Sequence, residues 1–99
     1  MLKTMPTIKN IFVLEDDVHA EYFGEYELFN DALVKAKELY ILPWDKEPNK
    51  CPCISWKTCE REYHIVKFEV VQDKWNELER SEIFSISSSK KEWKYKADK

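Results

Sequence analysis

The chain has 99 residues and a mass of 12.0 kDa, the size of a single domain with one modest core. Hydrophobic residues make up 43% of it and charged residues 35%, which excludes disordered, collagen-like and membrane-spanning chains. A net charge of −3 and a pI near 5.4 argue against attraction of the whole protein to nucleic acid or anionic lipid. The apolar run near the N-terminus covers only residues 11–14, too short for a secretory leader or a spanning helix. We therefore expect a cytoplasmic, non-membrane protein with a single domain over 1–99 and flexible ends at 1–7 and 97–99.

Glycine is almost absent, because Gly24 is the only one. Phosphate-binding loops, dinucleotide-binding fingerprints and nucleophile elbows each need several glycines for close backbone approach. The composition therefore excludes these three classes of site.

The N-terminal part of the chain predicts a β-hairpin. Residues 8–15 are rich in β-branched and aromatic side chains, which is typical of a strand. Residues 21–29 alternate in part, and we interpret them as a second strand with Gly24 at a bulge. The turn between the two strands is expected near Asp17.

Residues 30–42 give the clearest helical pattern of the chain. Asn30 is a suitable N-cap, and Pro43 cannot continue a helix. The apolar residues recur at helical spacing on one face: Phe29, Ala32, Leu33, Ala36, Leu39 and Tyr40.

The second half begins with a long connection over 44–58 and then favours strands. Residues 60–72 alternate, with His64 and Val66 on one face. Residues 73–80 are interpreted as one or two helical turns, followed by short strands at 83–87 and 92–96. The sequence thus predicts an α+β fold, a small antiparallel sheet of order β-β-α-β-β-β with one main helix packed on one face.

Three cysteines, Cys51, Cys53 and Cys59, are too few for a disulfide scaffold, so free thiols are expected. Together with His64 they offer three sulfurs and an imidazole, the ligand types of a tetrahedral zinc site. The spacing departs from the usual zinc pattern because one residue alone separates Cys51 from Cys53. A nucleophilic cysteine paired with His19 or His64 is a further alternative.

Acidic residues are concentrated before the helix. Residues 1–31 hold seven acids and two lysines, whereas the rest holds twelve acids and fourteen bases. If the hairpin presents these carboxylates on one side, that side attracts basic partners. Acid–base catalysis by Glu15 and Asp17 is a weaker interpretation, since no pattern indicates a pocket that would shift their pKa values.

Aromatic residues accompany the acids, and tyrosine and tryptophan often dominate protein–protein contacts. Of the four tryptophans, Trp44 and Trp93 are the better candidates for the surface. The predicted partner-binding residues combine both features: Glu15, Asp16, Asp17, Glu21, Tyr22, Tyr26 and Trp44.

The C-terminal segment mixes five lysines with Trp93 and Tyr95. Such mixtures can bind single-stranded nucleic acid, but a lysine-protected edge strand explains the pattern more simply. An exposed sheet edge beside aromatic residues would also allow a symmetric homodimer.

The leading hypothesis is a non-enzymatic, bacterial-type protein-binding module, such as an inhibitor or immunity-type protein with a basic protein partner. The alternative is a zinc-binding structural or regulatory domain built on Cys51, Cys53 and Cys59. No catalytic residue and no cofactor are predicted for the leading hypothesis.

Overall fold

The predicted α+β architecture is confirmed by the computed structural model, which describes residues 8–50 and 59–96. The elements are β1 (Ile8–Asp16), β2 (Glu21–Tyr26), α1 (Phe29–Ile41), β3 (Glu60–Val71), β4 (Lys74–Ser87) and β5 (Lys91–Trp93). The strands form one sheet in the order β2-β1-β3-β4-β5, and every neighbouring pair is antiparallel. No helix in the described ranges has the length and apolar character that a membrane span requires.

The helix α1 packs across one face of the sheet through small residues. Ala32 and Ala36 are fully buried, and short side chains let the helix approach the strands closely. Below them, the rings of Tyr63 and Phe84 stack with centroids 4.5 Å apart. The fully buried aliphatic side chains of this core are Leu14, Leu39, Ile65, Ile83 and Ile86.

The helix begins one residue earlier than predicted, and its cap differs. Leu28 occupies the N-cap position without a side-chain hydrogen bond, and Asn30 lies inside the first turn. Phe29 joins the helix because its ring packs between Phe12 and Tyr95, at centroid distances of 5.9 and 5.3 Å. Tertiary packing therefore fixes the start of α1, and the prediction that Asn30 caps it is wrong.

The predicted irregularity at Gly24 is confirmed. The register of β1 and β2 shifts between Val13 and Glu15, opposite the segment that contains Gly24. Gly24 has a φ of 127°, and a Cβ added there would lie 2.8 Å from the hydroxyl oxygen of Tyr26. Residues with a side chain rarely adopt this backbone angle, so the φ is what favours glycine here.

The predicted helical turns at 73–80 are wrong, because this segment is the first half of the long strand β4. Gln72 and Asp73 both have positive φ, 51° and 67°, and form the two-residue turn of a β3–β4 hairpin. Its apolar residues Trp75 and Leu78 are 44% and 52% exposed. Pairing with β3 along its whole length overrides the local helical preference of this segment.

The outer edge of β4 is only partly covered. β5 is shorter than the predicted 92–96 strand and pairs with Phe84, Ser85 and Ile86 alone. Within the described residues, the edge from Lys74 to Glu82 has no neighbouring strand.

The tryptophans are distributed differently from the prediction. Trp44 and Trp93, expected at the surface, are half-buried against the core, and the Trp93 ring stacks over Phe84 at 6.0 Å. Of the three tryptophans that the structure describes, Trp75 is the exposed one, and it contacts Phe68 edge-on at a centroid distance of 5.4 Å.

Candidate functional site

The alternation of side chains along β1 divides the acidic run between the two faces of the sheet. Asp16 points to the face that carries α1 and is fully buried. Glu15 points to the opposite face, which we call the open face. Across four strands the open face is marked by the paired positions Tyr22, Glu15, His64 and Glu82.

Asp16 is the centre of a buried polar network. Its Oδ1 accepts the backbone N–H groups of Val18 and Glu62, both at 3.0 Å. Its Oδ2 accepts from Arg61 Nη1 at 3.0 Å and contacts His19 Nδ1 at 2.5 Å. Four partners compensate for the desolvation of this carboxylate, so it remains buried as a structural ion.

Arg61 connects the hairpin to the segment that follows α1. Its Nε donates to the carbonyl oxygen of Asn49 at 2.7 Å, and its Nη2 donates to that of Lys50 at 2.6 Å. Its Nη1 also donates to the carboxylate of Glu21. The guanidinium thus bonds to Asp16, to Glu21 and to two backbone carbonyls, and it is almost fully buried.

Asn49 extends the network to the end of the helix. Its side-chain nitrogen donates to the carbonyl oxygen of Leu39 at 2.7 Å, and its Oδ1 accepts from the Tyr63 hydroxyl at 2.9 Å. Burial raises the pKa of Tyr63 well above its usual value. The phenol therefore stays protonated and serves as a donor.

His19 and Cys59 lie at the rim of this network. His19 Nε2 is 3.0 Å from Cys59 Sγ, while Nδ1 of the same ring contacts Asp16. The imidazole of His19 therefore lies between a carboxylate and a sulfur. Carboxylates orient histidines in this way both beside nucleophilic cysteines and in metal sites.

Cys59 is disulfide-bonded, which corrects the expectation of free thiols for this residue. The other two cysteines of the predicted zinc site, Cys51 and Cys53, lie outside the described residues. His64, predicted as the fourth ligand, lies on the open face, and the imidazole beside Cys59 belongs to His19. A disulfide sulfur has no thiolate to offer a metal, so zinc binding stays a prediction for the reduced chain.

The open face carries a second ionic cluster, centred on Arg80. Its Nη1 donates to Glu15 at 2.7 Å and to Asp17 at 2.9 Å, and its Nη2 donates to Glu77 at 3.0 Å. The hydrogen bond from Arg80 lowers the pKa of Glu77, and the same contact raises the pKa of Arg80. Three carboxylates surround one guanidinium, so the cluster keeps a net negative charge.

His64 lies under this cluster and is held at both ring nitrogens. Arg80 Nη1 lies 3.3 Å from Nδ1, and Glu62 lies 3.2 Å from Nε2. Asp17, Glu62 and His64 are close enough to share a cation. Arg80 donates to two of these three residues, however, so its guanidinium already supplies a positive charge beside them.

The structure brings together three of the seven predicted partner-binding residues on the open face: Glu15, Asp17 and Tyr22. The other four lie elsewhere, at Arg61 (Asp16 and Glu21) and half-buried against the core (Tyr26 and Trp44). Because Asp16 is buried on the opposite face, the hairpin does not present all of its carboxylates on one side. The binding role of the exposed residues stays a prediction.

Several residues of both clusters were not predicted from the sequence, above all the two arginines. Arg61 and Arg80 are the only arginines of the chain, and that rarity was a usable signal because arginine is preferred for bidentate carboxylate pairs. Glu77 and Arg80 were hidden by the incorrect helix at 73–80. Asn49 gave no signal, because a buried asparagine is not distinguishable from a turn asparagine in one sequence.

The chain matches no protein-family model, no curated protein and no solved structure. The buried network and the open face therefore carry the functional inference by themselves.

Proposed function

We propose that this protein is a non-enzymatic binding module that uses the open face to bind a basic protein, as an inhibitor or immunity-type protein does. The observation that carries the proposal is the collection of six carboxylates on one side of the sheet, five from four strands and one from the turn after β1. They are Glu15, Asp17, Glu25, Glu62, Glu77 and Glu82.

The charge balance of this face supports a cationic partner. Among residues 8–50 and 59–96, two cationic side chains contact these carboxylates: Arg80, and Lys94, whose Nζ lies 3.5 Å from Glu82. Lys9 is on the same face, but it lies near the start of β1, six residues before Glu15. The excess of negative charge accelerates association with a basic surface and makes it sensitive to salt.

The aromatic contribution comes from the border of the face. Tyr22 on the edge strand β2 is 61% exposed, in the same cross-strand row as Glu15. A tyrosine brings a large contact area with little loss of side-chain entropy, and such residues often anchor interfaces.

The ionisation of the cluster suits binding better than proton transfer. A general acid or base works best with a pKa near the operating pH. The pKa of Glu77 moves in the opposite direction, below its usual value, because Arg80 donates to its carboxylate. The carboxylate therefore stays ionised at neutral pH, as charge complementarity requires.

The test compares two triple variants as bait in a lysate of the host. Glu25→Gln, Glu62→Gln and Glu82→Gln remove three charges from the open face without touching the Arg80 pairs. Glu38→Gln, Asp45→Asn and Glu47→Gln make the same change in charge on the helix and the loop after it. Each captured protein is identified, purified and titrated against all baits at low and high ionic strength.

We expect the wild type and the helix-side variant to bind the same basic protein at low salt. The open-face variant is expected to bind it at least tenfold more weakly, since each lost rim charge reduces association. Equal loss in both triple variants, or a partner that is not basic, would overturn the proposal. Thermal unfolding of all three baits confirms that they are folded.

A further inference from the structure

We infer that the cleft at the start of α1 binds a small aromatic acid. The ring of the ligand lies on the side chains of Phe12, Phe29 and Tyr95, which line this cleft. Its carboxylate pairs with the ammonium of Lys67, another lining residue. The cleft is on the α1 face of the sheet, so this inference is independent of the binding role proposed for the open face.

The cleft forms where the helix stops covering the sheet. Leu14 and Ile65 lie in the core under α1 and are buried, whereas Phe12 and Lys67, the next cross-strand pair on that face, are half-buried. Glu79 continues this row on β4 and is exposed. The row belongs to a cleft with a volume of about 350 Å³. Ligand sites start at about 300 Å³, so the cleft suits a small molecule.

Aromatic rings form one wall of the cleft. Phe29, the first residue of α1, meets the Phe12 ring edge-on at a centroid distance of 5.9 Å. The Tyr95 ring lies against Phe29 at 5.3 Å, and the backbone N–H of Tyr95 donates to the carbonyl oxygen of Ile83, which holds this segment on β4. The three rings pack against the core but are only partly buried. They therefore offer apolar surface and ring edges to an aromatic ligand.

Lysines give the cleft a positive charge. Lys67 Nζ lies 6.0 Å from the centroid of the Phe12 ring, at the limit of a cation–π contact. In the part of the chain that the structure describes, no carboxylate forms an ion pair with this ammonium, not even Glu79, its cross-strand neighbour. Lys96 also lines the cleft, so its described lining carries two ammonium groups and one carboxylate. The balance of charge favours an anion.

The combination of rings and an ammonium selects the class of ligand. An aromatic ring removes apolar surface of the wall from water, and a carboxylate attached to that ring gives Lys67 a charged hydrogen-bond acceptor. An aliphatic acid keeps the charge contact but loses the contacts between rings. An aromatic amine would bring a further cation beside Lys67 and Lys96, with Glu79 as the one carboxylate of the described lining to attract it.

A lysine that only shields Phe12 from solvent would behave differently. Its methylene chain would cover the ring whatever its ammonium contacts. The charge of Lys67 would then have no influence on the binding of a dissolved aromatic acid. The response of binding to charge is therefore the property that separates the two roles.

The experiment titrates the full, isotope-labelled chain with phenylacetate and follows its backbone amides by NMR. Two comparison probes are phenethylammonium, which has the ring with the opposite charge, and cyclohexylacetate, which has the charge without an aromatic ring. We expect phenylacetate to shift the amides of Phe12, Phe29, Lys67 and Tyr95 with a dissociation constant of about 10 mM or lower. Each comparison probe should bind at least about threefold more weakly, because it lacks one of the two contacts.

Charge variants supply the second arm of the test. Lys67→Gln should weaken phenylacetate binding roughly fivefold, because a partly exposed ion pair is lost, and Glu79→Gln should strengthen it by a smaller factor. Lys74→Gln is the matched control and should bind as the wild type does, since Lys74 is on the same face of the sheet but outside the lining of the cleft.

Three results would overturn the inference. They are the absence of saturable shifts in the cleft with phenylacetate, equal binding of phenylacetate and phenethylammonium, and equal loss in Lys67→Gln and Lys74→Gln. The amide spectrum of each variant shows whether it is folded. The comparison of the three probes uses the wild type alone, so it decides the question even where a variant does not fold.

Discussion

The two arginines of this chain occupy opposite faces of one sheet and bind alternate carboxylates of one hairpin. Arg61 takes Asp16 and Glu21 in the interior, whereas Arg80 takes Glu15 and Asp17 at the surface. The residue types and distances are similar, but the side chain of Arg61 is 3% exposed and that of Arg80 is 32% exposed.

The difference shows that burial, more than ion-pair geometry, sets the role of each cluster. A buried ion that loses its partner is left desolvated, so the Arg61 network is expected to hold the fold together. Exposed ions are solvated with or without a partner, so the Arg80 cluster is expected to contribute charge and little stability.

The largest loss of stability is expected on substitution of Arg61. Arg61→Gln removes the cation from buried Asp16 and should lower the free energy of unfolding by about 3–5 kcal/mol. Arg61→Lys keeps the charge but loses the planar guanidinium. Its free energy of unfolding should lie between that of Arg61→Gln and that of the wild type. Urea unfolding of oxidised protein measures all three, and a loss below about 1 kcal/mol for Arg61→Gln would contradict the structural role.

A smaller effect is expected at Tyr63. Tyr63→Phe leaves Asn49 Oδ1 without its hydroxyl donor and should cost about 1–2 kcal/mol. Because burial raises the pKa of Tyr63 above 10, only the unfolded chain ionises this phenol just above that pH, and wild-type stability should fall there. Unfolding curves at neutral and alkaline pH test this: the gap between wild type and Tyr63→Phe should narrow as the pH rises. A constant gap would show that the phenol ionises equally in both states.

The smallest change in stability is expected at Arg80. Arg80→Gln should alter the free energy of unfolding by no more than about 1 kcal/mol, because its carboxylate partners can be hydrated instead. The pKa of Glu77 should return toward 4.5, since the hydrogen bond that lowers it is lost. An NMR titration of Glu77 measures this, and an unchanged titration would mean that the contact does not persist in solution. Affinity for the proposed basic partner should rise, as the face loses a positive charge.

Local patterns predicted most of the fold. The β-branched and aromatic composition identified β1, and alternation identified β3, including His64 and Val66 on one face. Helical spacing identified α1 to within one residue at each end. The segment 73–80 failed because its pairing with β3 is a tertiary contact that outweighs local preference.

The candidate sites were less accessible to prediction. A run of three acids looks uniformly solvated, and only the register of the hairpin shows that Asp16 turns inward. The contact of His19 with Cys59 joins residues 40 positions apart, and no local spacing encodes it. A single sequence shows which residue types are present, but it does not show which distant residues contact one another in the fold.

The long uncovered edge of β4 has a consequence for how copies of this chain behave together. In the described part of the protein, residues 74–82 present unpaired backbone groups that another chain could extend into a continuous sheet. Ionised side chains recur along that border: Lys74, Glu77, Glu79, Arg80 and Glu82. Two copies could pair these edges antiparallel about a two-fold axis at Leu78. Glu77 of each copy would then lie opposite Glu79 of the other. Repulsion between these carboxylates opposes such edge-to-edge pairing. The resistance of this chain to aggregation therefore depends on the charged side chains along the β4 edge.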